Sequence, residues 1–199
     1  LRKEAMIYGV GHVLARLISF FLVPLFTNIF SQDEYGIITL IYVFIGFFTI
    51  SIHLGLDASL LKYYKNDDGN KKRYLTNTYI PVLIINIIFF AFCFLLRDYL
   101  AIPLFGLNDS FIFLMVALVL FFDVLWAMPM VLLRLNNKPI QFISYNLINV
   151  LSNLFCIYLF VTIYNMGVWG VVLSNLVASG LLFIITLSPI IKSLSLKLI

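Results

Sequence analysis

Residues 111–133 read FIFLMVALVLFFDVLWAMPMVLL, an apolar run broken by a single charge, Asp123. A helix needs ~20 such residues to cross ~30 Å of hydrocarbon. The run is too long for a barrel strand and lacks strict alternation. Five further runs of similar character lie at residues 6–30, 37–56, 78–96, 140–164 and 168–191. The spacing predicts an all-α, polytopic membrane helix bundle of six transmembrane helices. Between the runs, residues 31–36 are short and acidic, 57–75 longer and basic, and 97–110 mixed. Residues 134–139 are short and basic, and 165–167 form a tight turn.

Composition agrees with this pattern. The 199 residues are 63% hydrophobic and 11% charged, with a mean hydropathy of +1.07. An average soluble domain is ~45–50% apolar and ~25% charged. That excludes a soluble enzyme, a disordered tail and a soluble nucleic-acid-binding domain. Cys93 and Cys156 both sit inside apolar runs and read as small buried hydrophobes rather than a disulfide framework. Residue 1 is Leu, and residues 193–199 stop without a closing signal, so the chain reads as a fragment of a longer protein. The first apolar run is too long for a cleavable signal peptide and lacks an A-x-A site.

The formal net charge of +4, from 13 Lys+Arg against 9 Asp+Glu, is unevenly placed. With the N-terminus inside, Arg2, Lys3, Lys62, Lys65, Lys71, Lys72, Arg73, Arg134, Lys138, Lys192 and Lys197 share one side. Only Arg97 falls on the other, with Asp33, Glu34, Asp98 and Asp109. The positive-inside pattern predicts cytoplasmic ends for this chain and short outer loops. The basic stretch 62–73 then reads as a topology determinant that meets anionic headgroups, and no nucleic-acid partner is expected.

Polar groups at membrane depth are costly and therefore informative. In the first run, His12, Arg16, Ser19 and Thr27 fall on one helix face. Arg16 lies roughly 15 Å in from the run's start and calls for a wet cavity or an acidic partner. In the second run Thr39, Tyr42, Gly46, Thr49, His53 and Asp57 recur at steps of three or four. Asp57 reads as a cap or loop contact. His53 reads either as a hydrogen-bonded bundle residue or as a proton carrier. Asp123, the one acid at its depth, can pair with Arg16, bind a cation or carry a proton. Pro129 follows it and removes one backbone hydrogen bond.

The fifth run is the most polar. Gln141, Tyr145, Asn149 and Asn153 recur every four residues, with Asn146 off their face. Such a line serves equally as interhelical glue or as a cavity wall for sugar hydroxyls. In the sixth run Gly170, Ser174 and Ala178 form a small-xxx-small packing ladder beside a strip of Asn175, Ser179 and Thr186. No phosphate-binding G-x-x-x-x-G-K-[ST] stretch, metal-ligand spacing or framed nucleophile occurs. Neither cofactor nor enzymatic activity is expected.

Four motifs in order carry a family resemblance. Gln32-Asp33-Glu34-Tyr35-Gly36-Ile37 resembles the lobe-start motif of polysaccharide flippases. Leu54-Gly55-Leu56-Asp57-Ala58-Ser59-Leu60-Leu61-Lys62-Tyr63-Tyr64 is similar to their G-x-D-x-a-x-x-[RK]-[YF] signature. Leu133-Arg134-Leu135-Asn136-Asn137-Lys138 resembles their basic loop between the fourth and fifth helices. Gly167-Val168-Trp169-Gly170 resembles the G-x-x-G turn before the sixth. Together they span essentially the whole chain and resemble the Wzx-like branch of the multidrug/oligosaccharidyl-lipid/polysaccharide exporter superfamily.

The resemblance implies that residues 1–199 are the N-terminal six-helix lobe of a two-lobe transporter. Such proteins move undecaprenyl-diphosphate-linked oligosaccharides from the cytoplasmic to the outer leaflet by alternating access. Implied partners are the lipid-linked oligosaccharide, membrane lipids and polysaccharide polymerase machinery. The segment 15–20 is similar to the first-helix arginine motif of related lipid II flippases, which implies a diphosphate contact for Arg16. A second arginine expected two turns later is absent, since that region reads Phe21-Leu22-Val23-Pro24. On this reading His12, Arg16 and His53 contact substrate, Asn149 and Asn153 line the sugar path, and Asp123 couples a cation or pairs with Arg16. A cation-coupled multidrug antiporter and a membrane-embedded glycan polymerase or ligase are the alternatives.

Overall fold

The computed structural model describes residues 9, 13, 20, 22–64, 70–106 and 108–193. Helices follow one another as α1 (Leu22–Ile29), α2 (Gln32–His53), α3 (Leu56–Tyr63), α4 (Lys71–Phe105), α5 (Ser110–Leu135), α6 (Pro139–Ile157) and α7 (Gly167–Ser193). A π-helical turn, Tyr158–Ile163, continues α6. There is no strand among the described residues. Among the described residues, five helical stretches are long and apolar enough to cross a membrane: Gln32–His53, Lys71–Phe105, Ser110–Leu135, Pro139–Ile163 and Gly167–Ile191. Of the first expected span, α1 is the described helix.

Consecutive spans run in alternating directions. One end of the bundle therefore gathers α3, the start of α4 and the α5–α6 turn, with Lys62, Lys72, Arg73, Arg134 and Lys138. We call this the basic end. The opposite end holds the α1–α2, α4–α5 and α6–α7 connections.

Local chemistry explains where the helices begin. The residues expected as an acidic loop, 31–36, are instead the first turn of α2. Ser31 Oγ accepts from the Glu34 amide at 3.3 Å, and Glu34 Oε2 accepts from the Ser31 amide at 3.0 Å. This reciprocal capping box satisfies two donors that a helix start otherwise leaves unpaired. Asp109 caps α5 through its side chain alone, accepting from Phe111 N at 3.0 Å and Ile112 N at 3.4 Å. Left-handed backbone at Leu54 (φ 49) and Gly55 (φ 70) stops α2 and starts α3, so the expected loop 57–75 contains a helix.

The largest departure is α4. Expected over 78–96, it covers 35 residues, or about 52 Å at 1.5 Å per residue. Most of the expected outer loop 97–110 is thus helical, until Gly106 (φ 66) closes the helix with its amide on Ile102 O at 2.8 Å. A helix longer than the ~30 Å core must tilt or project beyond it.

α5 lies at the centre, packed against α2, α4, α6 and α7. In its most apolar 18-residue window 56% of residues are buried, against 17–44% in the other spans. That is why the run 111–133 carries no polar face: other helices surround it rather than lipid. The aromatic core joins its N-terminal half to α2 and α4, with Phe113 at 5.9 Å from Phe44 and 5.8 Å from Phe105. Cys93 and Cys156 are buried and free.

The small-residue ladder of α7 packs against the π turn. A Cβ on Gly170 would lie 3.0 Å from Val161 Cγ2, 3.1 Å from the Phe160 carbonyl carbon and 3.2 Å from Met166 Cβ. Gly180, by contrast, has room: a Cβ there meets Phe122 no closer than 3.7 Å. Gly170→Ala is predicted to lower stability by about 1–3 kcal/mol through overpacking against backbone. Gly180→Ala gains up to ~1 kcal/mol of helix propensity. Thermal unfolding of the two purified variants in one detergent separates them, and equal melting temperatures would contradict this packing.

Candidate functional site

On α7, two hydroxyls turn back on their own helix. Ser174 Oγ donates to Gly170 O at 2.6 Å, and Thr186 Oγ1 to Leu182 O at 2.8 Å. Ser179 and Asn175, one turn apart, reach other helices, although Asn175 Nδ2 also donates to Val171 O of its own helix at 3.0 Å. Asn175 Nδ2 donates to the Tyr42 hydroxyl of α2 at 2.9 Å, and Asn175 Oδ1 accepts from Asn153 Nδ2 of α6 at 3.2 Å. Ser179 Oγ donates to Asp123 Oδ1 of α5 at 2.6 Å, and Trp126 Nε1 donates to the same oxygen at 3.0 Å. α7 therefore ties α2, α5 and α6 together through one polar girdle. Neutral interhelical bonds average ~0.6 kcal/mol; those to a carboxylate are stronger.

The girdle lies between two cavities. Toward the basic end, a cavity of about 440 Å³ is lined by Trp126, Met130 and Arg134 of α5, Phe142 and Asn146 of α6, and Gly9. Arg134 is exposed, with its guanidinium carbon 5.6 Å from the Phe142 ring centroid. Asn146 Nδ2 donates to Phe142 O at 2.9 Å. Toward the opposite end, a cavity of about 240 Å³ is lined by Phe26 of α1, Tyr35, Ile38, Thr39 and Tyr42 of α2, and Asn153 of α6. Trp126 thus belongs to both the girdle and the cationic cavity. Tyr42 and Asn153 belong to both the girdle and the aromatic one.

The structure sorts the residues singled out in the sequence. Arg16 and His12 lie outside the described residues. Asp123 sits in the girdle, and among the described residues no basic side chain pairs with it. Asn153 lines the smaller cavity. Asn149 is half-buried one turn before it and makes no hydrogen bond among the described residues. His53 is buried in the last turn of α2, with Nδ1 2.6 Å from Thr49 O. A carbonyl only accepts, so Nδ1 carries the proton; the buried Nε2 has no hydrogen-bond partner. His53 lines neither cavity.

Two residues differ from their sequence reading. Arg134, expected in a loop, is in the last turn of α5 and forms a cavity wall. Asn146, read as off the Gln141–Asn153 line, lies two turns before Asn153, within about 20° of it around α6, and lines the larger cavity. The polar strip of Asn175 and Ser179 was visible in the sequence, but its partners across the bundle carry no local signal.

A family model described as polysaccharide biosynthesis protein matches residues 1–195. No curated protein and no solved structure matches the chain. With its five apolar spans and a match over nearly its whole length, this is a multi-pass membrane protein, and the chain belongs to the polysaccharide biosynthesis protein family, that of the Wzx-like flippases.

Proposed function

We propose that residues 1–199 form the N-terminal lobe of a flippase. It translocates undecaprenyl-diphosphate-linked oligosaccharide from the cytoplasmic to the outer leaflet by alternating access. The observation that carries this reading is the polar girdle between a cationic cavity and an amide- and aromatic-lined one, in a chain of this family. A diphosphate cannot cross hydrocarbon without compensation for its charge. A guanidinium offers paired, charge-assisted hydrogen bonds to phosphate oxygens.

In this scheme the basic end faces the cytoplasm, in keeping with the placement of the lysines and arginines. Arg134 meets the diphosphate first, at the mouth of the larger cavity, and Arg16 and His12 are its further contacts from the first apolar run. Asn146, Asn149 and Asn153 form an amide path for sugar hydroxyls along α6, and Tyr42 continues it toward the outer side. His53, buried here, joins them only where the end of α2 has moved. The lipid tail stays in the bilayer.

Removing a charged hydrogen-bond partner costs about 1.5–3 kcal/mol, or roughly 10- to 100-fold in rate. Arg134→Ala in the full-length protein should therefore slow flipping of a fluorescent lipid-linked oligosaccharide in proteoliposomes by at least about tenfold. Arg134→Lys, a point charge without the fork, should fall between. Wild-type flipping by Arg134→Ala at equal reconstitution would remove Arg134 from the path.

Asp123, with no basic partner among the described residues, supports a second reading in which the lobe couples transport to a cation, as an antiporter does. Asp123→Asn retains an acceptor for Ser179 and Trp126 but loses the charge. If a cation is coupled, this variant loses the dependence of transport on an imposed Na⁺ or H⁺ gradient. A gradient dependence equal to wild type would dismiss that coupling.

A further inference from the structure

At the basic end, beyond both cavities, α3 and the first turn of α4 form a shelf. Leu60 is buried beneath α3, while Leu61, Lys62 and Tyr63 are exposed. The Tyr63 ring stacks on Tyr74 of α4, centroids 6.3 Å apart, and Lys62 Nζ lies 5.4 Å from the Tyr63 centroid. Behind them the buried Tyr64 ring points its hydroxyl at Asn136 Oδ1, 3.4 Å away, which sets the shelf against the α5–α6 turn. Lys72 and Arg73 are exposed at the start of α4. Lys62, Lys72 and Arg73 make no ion pair among the described residues.

The length of α4 gives this surface its depth. Its ~52 Å exceeds the ~30 Å core, and exposed Lys72 and Arg73, costly in hydrocarbon, put the overhang of its first turn at headgroup level. Tyrosine is favoured at that level because its ring is apolar and its hydroxyl wet. A short helix with leucine and tyrosine beside lysine lies in the interface plane, its apolar side chains at the acyl boundary. The cations then meet phosphate oxygens. A nucleic acid would leave Leu61 without apolar cover.

We propose that α3 and the start of α4 are a binding shelf for anionic phospholipid headgroups, held by Lys62, Lys72 and Arg73 with Leu61 and Tyr63 seated in the acyl boundary. The shelf is separate from the transport path and does not depend on which substrate is flipped. Each basic residue near an anionic surface is worth ~1 kcal/mol, or about fivefold in affinity.

Native mass spectrometry of the full-length protein, titrated with dioleoyl phosphatidylglycerol or dioleoyl phosphatidylcholine, tests the shelf. Wild type should bind phosphatidylglycerol more tightly. The triple variant Lys62→Ala, Lys72→Ala, Arg73→Ala should lose on the order of a hundredfold in that affinity and bind both lipids alike. Should the triple variant fail to fold, Lys62→Gln alone should lose about fivefold. Arg97→Ala, at the opposite end, should bind as wild type does. Three results would overturn the shelf: equal binding of both lipids by wild type, unchanged phosphatidylglycerol binding by the charge-removed variants, or an equal loss in Arg97→Ala. It is also overturned if the triple variant loses only an added undecaprenyl-diphosphate lipid while keeping phosphatidylglycerol.

Discussion

A carboxyl group in the middle of an apolar helix must be satisfied by its neighbours, because lipid offers it nothing. Asp123 is that group here. Its Oδ1 draws Ser179 from α7 and Trp126 from its own helix. This fixes the register of α7 against α5. One turn away, the same register brings Asn175 to Tyr42 and Asn153, so α2 and α6 are fixed as well. The two cavities are the spaces left above and below this layer.

The layer is polar but not tightly bound. The neutral interhelical hydrogen bonds at Asn175 are individually weak, on average ~0.6 kcal/mol, so each can be exchanged for another polar partner at little cost. The surrounding packing is stiffer. Gly170 lets α7 approach the π turn of α6 within van der Waals distance of backbone, and α5 is packed by α2, α4, α6 and α7. The bundle therefore combines a stiff frame with exchangeable polar contacts at its centre.

Much of the fold was legible because the bilayer constrains sequence strongly. The run 111–133 and the α6 and α7 runs all lie within a few residues of the observed helices. Errors arose where local chemistry overrides hydropathy. The Ser31–Glu34 box begins α2 in residues that look like an acidic loop. In α4, Arg97 and Asp98 look like a helix end, yet the helix continues to the glycine at 106. The π turn has no sequence signal at all. Of the site, Asp123 and Asn153 were legible as polar groups at depth. Their partners were not, since the pairing of Asp123 with Ser179 depends on the packing of helices 56 residues apart in sequence. Arg134 was legible as a charge but not as a cavity wall, because helix and loop readings of residue 134 differ by a single turn.

If the girdle separates two cavities that open to opposite faces, a membrane-impermeant maleimide reports it directly. Cys93 and Cys156 are buried and give little background. In the full-length protein without substrate, Asn146→Cys should be labelled only from the cytoplasmic face and Thr39→Cys only from the outer face. Labelling of both positions from the same face would contradict the girdle as the barrier between them.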